Sequence, residues 1–512
     1  MATLPLRSSA GRWIMVAAIL ASSMAFIDGT ALNVVLPSLQ RSLRANGAEL
    51  FWILNAYLLM LAALILIGGA LGDRLGRKRV FMTGIFIFIT GSAACGLSTS
   101  TVALIVCRIV QGAGGAFMIP GSLSLISSSI DEKERGKAIG TWSSITTMVT
   151  LGGPILGGAL ADAGLWRYIF FINVPLGVAA LFILWRKVAE SREEGGGRSL
   201  DLPGACAIAS GLALLTFGCL RIPAVGWGHW SVLASVAGGV VLLMAFIGIE
   251  WRSKDPMMPL SLFANPVFSG VNALTFFLYA GLGAAMLFLS LNMVQVQGYS
   301  QLEAGLTFLP FTALLISLGR FAGGLADKHG PRWLLIAGPA TAGVGMLLLS
   351  FVGQTLRPSD YWTSFFPGVV VFGLGMALTV APLTAAVMGS VGQQFSGVAS
   401  GVNNALSRVA NVFANAIFGA LAVLLFSAAL QQRIDGLPIG AEERQAVMAQ
   451  AADLGNARVP VTVEAAARPG VAKAYREAFI SVYAIILRIS AVLAFVGAFL
   501  ASVFVRSRRR TL

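Results

Sequence analysis

Apolar runs long enough to cross a bilayer as helices, about 20 residues each, recur along almost the whole chain. About fourteen meet that rule, at 13–36, 50–71, 80–98, 101–124, 138–160, 168–186, 202–220, 231–249, 267–293, 303–322, 333–353, 362–388, 397–427 and 478–505. In hydrocarbon every backbone amide must be satisfied within the chain, so these runs are expected to be helices. The fold class is therefore all-α integral membrane. Composition agrees: of 512 residues, 57% are hydrophobic and 11% charged, against about 25% charged in soluble domains.

The net charge of +14 does not indicate nucleic acid, because Lys and Arg are not gathered on one soluble domain. They occupy short loops between apolar runs, as topology signals do. With the N-terminus inside, the inside loops carry Arg74, Arg77, Lys78, Arg79, Lys133, Arg135, Lys137, Arg186, Lys187, Arg192, Arg198, Arg252, Lys254, Arg320, Lys328 and Arg332, and the tail adds Arg506, Arg508, Arg509 and Arg510. The outside loops carry only Arg41, Arg44, Arg167, Arg221 and Arg357. This bias predicts a multi-pass protein of the cytoplasmic (inner) membrane with both termini in the cytoplasm. The basic start (Arg7, Arg12) and first apolar run are like a signal peptide. That run is ~24 residues long and many others follow, so it is read as an uncleaved first span. Cys95, Cys107, Cys206 and Cys219 all fall in apolar runs without metal spacing, and His229 and His329 lie in loops. Neither a disulfide framework nor a metal site is expected.

One outside segment, 431–477, is polar, Ala-rich and of mixed charge. It is longer than a plain loop and is expected to hold a short helix at Gly440 to Ala452. It reads either as a docking surface for a periplasmic adaptor protein or as a solvated cap with no partner.

An internal repeat organises the rest. Gly69-Ala70-Leu71-Gly72-Asp73-Arg74-Leu75-Gly76-Arg77-Lys78-Arg79 recurs as Gly323-Gly324-Leu325-Ala326-Asp327-Lys328-His329-Gly330-Pro331-Arg332-Trp333. The copies follow the second and tenth spans, an offset of eight, where two six-span halves alone would give six. The expected architecture is an N-terminal six-helix bundle (1–187), an inserted helix pair with flanking loops (188–255), a C-terminal six-helix bundle (256–505, including the external segment 431–477) and a basic tail (506–512). Two related halves around a midplane cavity is a common build for alternating-access transporters.

On these boundaries Asp28 is the one acid well inside an apolar run. A carboxylate in hydrocarbon is costly, tends to take up a proton, and marks a functional site by default; the other reading is a capping or packing acid near a span end. Arg108 sits inside the fourth span. At 1.5 Å per residue Asp28 lies ~13 Å and Arg108 ~10 Å from the outer boundary. At matching depth the two can pair, relieving the cost of both; alternatively Arg108 satisfies backbone carbonyls and never meets Asp28. If they pair and part, Asp28 is biased toward the ionised form when Arg108 is near and toward the protonated form when it leaves.

Gly-x-Leu-x-Asp-Arg-x-Gly-Arg-Lys after the second span resembles the signature loop of the major facilitator superfamily. Leu104 to Ala116 resembles that family's fourth-span motif, and Gly152-Gly153-Pro154-Ile155-Leu156-Gly157-Gly158 the fifth-span motif of its drug antiporters. Asp28 to Pro37 and Trp166 to Gly177 resemble the first span and the start of the sixth in the fourteen-span drug:proton antiporters of the EmrB/QacA type. One departure is Val149, where the fifth-span motif usually has a further glycine.

The resemblance implies a major facilitator fold, two six-helix bundles plus two inserted helices. It implies multidrug efflux and antibiotic resistance: a proton-coupled antiporter exporting hydrophobic or cationic small molecules, or alternatively a dedicated exporter of one metabolite or self-made antibiotic. No cofactor is implied beyond the proton gradient. Asp28 and Arg108 would couple to protons. Gly69, Asp73, Arg74, Gly76, Arg77, Asp327 and Gly330 would form a conformational latch, although positive-inside anchoring alone would explain the basic residues. Gly153, Pro154, Gly157 and Gly158 would seal the halves by a proline kink and close glycine packing, ordinary helix packing being the plainer reading.

Trp52, Asn55, Tyr57, Gln111, Met118 and Met148 are candidates for the substrate cavity, since Met and aromatic side chains adapt to varied apolar ligands. Arg408 and Arg488, also within spans, are read as snorkelling to an interface, with substrate contact as the alternative. Asn404, Asn411 and Asn415 share a face beside Asn403 and are read as helix-packing residues, with lining of the cavity as the alternative. An ATP-driven pump is disfavoured: Gly136-Lys137 is followed by Ala138 and no phosphate-binding loop is present. An intramembrane enzyme would need paired carboxylates, a His cluster or a nucleophile with its base. A channel would need rings of like residues.

Overall fold

The computed structural model describes residues 4–505, apart from 191–200, 255, 257, 356–357 and 392–395. In order the helices are α1 (Ser9–Leu43), α2 (Gly47–Leu75), α3 (Arg77–Leu97), α4 (Thr101–Ser129), α5 (Glu132–Asp162), α6 (Tyr168–Phe171), α7 (Asn173–Lys187), α8 (Leu202–Val225) and α9 (Trp230–Arg252). They continue with α10 (Pro266–Gln295), α11 (Gln301–Thr307), α12 (Leu309–His329), α13 (Arg332–Ser350), α14 (Phe365–Gly389), α15 (Ser396–Ile434), α16 (Ala441–Ala449) and α17 (Arg468–Phe504). Thirteen of these, counting α6–α7 and α11–α12 as one crossing each, are long and apolar enough to span a membrane. α5, apolar over Met148–Asp162, brings the number to fourteen and stands fifth in the order. Extended pairing among the described residues is limited to one bridge between Leu4 and Ile130.

The contacts repeat as the sequence repeats. In the first half α4 packs against α2 and α3, and α1 against α5 and α7; in the second, α14 packs against α12 and α13, and α10 against α15 and α17. α8 and α9 pack on each other, and α8 also lies against α2 and α15. α1 begins and α17 ends on one face, called here the terminal face; the opposite, loop face carries α16.

Most helices overrun their apolar runs, because polar residues can continue the hydrogen-bond ladder once it leaves hydrocarbon. α2 opens with a capping box, Glu49 N–H on Asn46 Oδ1 and Asn46 N–H on Glu49 Oε2, both at 2.9 Å. α15 and α17 brace each other beyond the apolar stretch through Arg433, which donates to Ser481 Oγ at 2.8 Å and pairs with Glu477 at 3.6 Å. The expected external segment 431–477 therefore shrinks to 435–467. Its predicted helix is α16, followed by a 3-10 helix, Gln450–Asn456. Val447 and Leu454 anchor it in the main core, and Tyr475 donates to Val447 O at 3.0 Å. Asn456 Nδ2 reaches Gln40 Oε1 of α1 at 2.7 Å, and Gln295 Nε2 of α10 reaches the same oxygen at 3.3 Å. The segment is thus a folded cap tying both halves together at the loop face.

Candidate functional site

Asp28 is fully buried on α1, and Arg108 of α4, 1% exposed, donates through Nη1 to its Oδ2. Arg108 thus meets Asp28, and its Nε also donates to the backbone O of Ile53 on α2 at 3.4 Å. Gln111, one turn along α4, completes the site. Its Nε2 donates to Asp28 Oδ1 at 2.9 Å and to Ser92 Oγ of α3 at 3.2 Å, while its Oε1 accepts from Arg108 Nη1 at 2.8 Å and from the Cys95 thiol at 3.7 Å. Ser92 in turn donates to Phe170 O at 2.8 Å and accepts from Asn173 Nδ2 at 3.0 Å. The Arg108 guanidinium lies over the Tyr57 ring, 4.4 Å from its centroid.

Asp28 on α1 is thus held by two side chains one turn apart on α4, Arg108 and Gln111, and these are braced in turn by α2, α3, α6 and α7. Ser92, Cys95 and Asn173 were not singled out from sequence; Asn173 lies within the quoted Trp166 to Gly177 motif, which was the available signal. Asp28 is also not the only buried acid. Glu250, one residue beyond the expected end of its span, is 2% exposed and accepts from Met258 N–H at 2.9 Å, but it closes α9 at the terminal face.

Glycines on α5 allow the approach of α1. A Cβ at Gly153 would stand 2.1 Å from Thr30 Oγ1, and one at Gly157 would stand 2.8 Å from Ala31 O. Gly158 faces the other half, where a Cβ would lie 2.3 Å from Gln301 O; reciprocally, one at Gly305 would lie 2.4 Å from Pro154 O. Asp162 closes this crossing by accepting Gln301 N–H and Leu302 N–H, both at 2.8 Å, at the start of α11. Nearby Ser290 Oγ donates to Asn33 O at 3.1 Å. The halves are therefore knitted together toward the loop face. Gly158→Ala is expected to wedge this crossing open and raise passive proton leak in liposomes, read by an entrapped pH dye; a leak unchanged from wild type would remove the sealing role.

At the repeated loop, Gly76 has φ +111° and Gly330 φ +83°, each ending a helix in a conformation that favours glycine. What repeats there is a helix stop. Glu190, beyond α7, caps α3 by accepting Lys78 N–H at 3.0 Å and Arg79 N–H at 3.2 Å, and a Cβ on Gly76 would come within 2.7 Å of its carboxylate. Gly76→Ala is expected to cost about 1–3 kcal/mol, read as a lowered unfolding midpoint. Gly69 lies beside Pro120 of α4, and Arg77 begins α3. The side chains of Asp73, Arg74 and Asp327 lie outside the described residues, as does the tail 506–512.

The six cavity candidates separate. Gln111 and Tyr57 belong to the ion-pair cluster. Met118 is buried in the core of the first half, because α4 packs there against α3. Trp52 turns outward into a crevice of about 250 Å³ between α2, α4 and α8, with Ala56, Met60, Ile109 and Ala213. Asn55 is fully buried, and neither of its amide atoms has a hydrogen-bond partner among the described residues. Met148 is 69% exposed. The asparagines of α15 also differ from expectation. Asn403 makes the interhelical bonds, to Asn272 Oδ1 at 3.0 Å and Thr275 Oγ1 at 2.7 Å, whereas Asn404 and Asn411 bond back to their own helix.

The sequence model of the Major Facilitator Superfamily matches residues 18–415. The tetracenomycin C resistance and export protein of Streptomyces glaucescens is 32% identical over 78% of this chain and 73% of its own length. The multidrug resistance protein Stp of Mycobacterium tuberculosis is 31% identical over 80% and 76%. Among solved structures, a bacterial homologue of the human lysosomal transporter Spinster, inward-facing and occupied, aligns at a TM-score of 0.65 with 18% identity, covering 97% of this chain and 98% of that one.

Proposed function

The chain belongs to the Major Facilitator Superfamily, and from that premise we propose that it is a proton-coupled antiporter exporting hydrophobic or cationic small molecules, a transporter rather than an enzyme. The observation that carries the coupling is the buried Asp28, held by Arg108 and Gln111 at a meeting of helices. Two charges removed from water are tolerated because they face each other. A rearrangement that withdraws Arg108 from Asp28 leaves a lone carboxylate in low dielectric, which then binds a proton. Proton binding and release thereby bias the equilibrium between two arrangements of the halves, the energetic requirement for coupled transport. No cofactor takes part; the proton gradient is the energy source.

The sealing glycines and Pro154 would hold the loop face shut in the arrangement described. The loop after α2 and its repeat after α12 would act as latches at the terminal face. The Lys and Arg bias puts that face in the cytoplasm of an inner-membrane protein. An adaptor protein, if one is used, would dock on the outer surface of the 435–467 cap, because its inner side is occupied by α1, α10 and α17.

In liposomes with an imposed pH gradient the purified protein is expected to move a fluorescent dye against its concentration gradient; dependence on ATP instead would remove the antiporter reading. The relatives support a second reading, since several are named for a single antibiotic, among them the methylenomycin A resistance protein of Bacillus subtilis, 30% identical over 81% of this chain. A broad substrate range in a drug-sensitive host favours multidrug export, and a single protected compound favours the dedicated exporter.

A further inference from the structure

Arg408 lies within the long apolar helix α15. Asn404, Arg408, Asn411 and Asn415 follow at intervals of four, three and four and share one face of α15. The residues flanking that face show where it points. Asn403 is hydrogen-bonded to α10 of its own half, while Ala405 and Val412 are buried in clusters with α2 of the other half. The stripe therefore runs along the seam between the halves.

Its burial is graded. Asn404 is exposed, Arg408 and Asn411 are half-buried, and Asn415 is 6% exposed. The stripe is thus open toward the terminal face and closed toward the loop face. Asn404 and Asn411 turn their amide N–H groups back onto Ser400 O and Ser407 O, at 3.1 and 2.8 Å. Arg408 has no hydrogen bond or ion pair among the described residues. Farther along the seam the negative charge of Asp28 is already matched by Arg108. Among the described residues of this stripe Arg408 is therefore an uncompensated positive charge.

Resting on the exporter reading, and replacing its cationic substrates by anionic ones, we propose that Arg408 determines the charge class of the substrate: the seam at Asn404, Arg408 and Asn411 takes an amphipathic anion, its carboxylate or acidic phenol on the guanidinium. An unpaired guanidinium in a partly dehydrated cleft gains most from a bidentate anionic partner and repels a cation held at the same place. The planar, delocalised charge also separates this role from that of a general helix-packing residue, which would be indifferent to the charge of the ligand.

The test uses the full chain in phosphatidylcholine vesicles, which removes anionic lipid headgroups as competitors, with fluorescein as the anionic probe and ethidium as the cationic one. Binding is read by quenching of tryptophan fluorescence and transport by dye movement under a pH gradient. Arg408→Gln is expected to lower the fluorescein-to-ethidium affinity ratio at least tenfold, and Arg408→Lys to keep most of it. Asn411→Asp, which sets a carboxylate one turn from Arg408, is expected to lower the ratio as well and serves if Arg408→Gln does not fold. A ratio unchanged in Arg408→Gln or, where that variant does not fold, in Asn411→Asp overturns the proposal; so does wild-type protein that binds ethidium but not fluorescein. Loss of gradient dependence with the binding ratio still sensitive to Arg408 would sink the exporter reading and leave the Arg408 assignment standing.

Discussion

Replacing Asp28 by Asn is expected to abolish gradient-driven export while substrate exchange across the membrane, without a gradient, continues. The reason is in the hydrogen bonds. Asp28 offers acceptors only, one oxygen to Arg108 and the other to Gln111 Nε2. An Asn amide would present its N–H donors where one of those acceptors stood. Gln111 would have to turn its carbonyl toward the new donor, giving up its bonds from Arg108 and Cys95. The site could no longer carry a proton, and the Arg108 charge would stay constant in both arrangements of the halves. Pairing Asp28→Asn with Arg108→Gln removes the stranded charge and controls for misfolding. Counterflow of labelled substrate separates coupling from binding: if both counterflow and gradient-driven export persist at wild-type rates in Asp28→Asn, Asp28 is not the proton carrier.

Arg108→Ala is expected to be the most destabilising single change in the first half. It removes one member of a buried pair and leaves the carboxylate uncompensated, a loss of about 3–5 kcal/mol. It also removes the group that covers the Tyr57 ring and the donor to Ile53 O. Protonation of Asp28 would offset part of the cost, so stability should recover at acidic pH. For the same reason the release of the proton would require a higher pH, and the pH profile of transport is expected to move toward alkaline values. Thermal unfolding in detergent across a pH series checks the first effect, and initial transport rates across the same series check the second. A profile superimposable on wild type would mean that the pair is structural and takes no part in coupling.

Residues reached by the cluster but silent in sequence explain how far such a reading extends. Asp28 and Arg108 were legible because charge inside an apolar run is costly wherever the run packs. Ser92 and Asn173 were not, because an isolated serine or asparagine in a span is affordable and common, and its role depends on which helix it meets. Gly76 and Gly330 were legible as a repeat, yet the carboxylate that makes Gly76 necessary, Glu190, comes from a residue over a hundred positions away. Asp162 is of the same kind: an ordinary loop-end acid until α11 brings two unpaired amides to it. The cavity guesses drawn from Met and aromatic content were the least informative, since Met118 and Trp52 would serve equally well in a core or against a neighbouring helix.

By itself the sequence determined the number of crossings, the order of the two halves with an inserted pair, and the presence of one acid and one base at equal depth. Hydrocarbon imposes those features locally, through helix length and the cost of charge. Only the tertiary structure decided which side chains surround Asp28, that α15 turns Arg408 into the seam and not toward lipid, and that 435–467 folds down as a cap. Each of those depends on the rotation of a helix about its own axis. Rotation is set by the close packing of glycines and small residues from distant parts of the chain, which no single apolar run encodes.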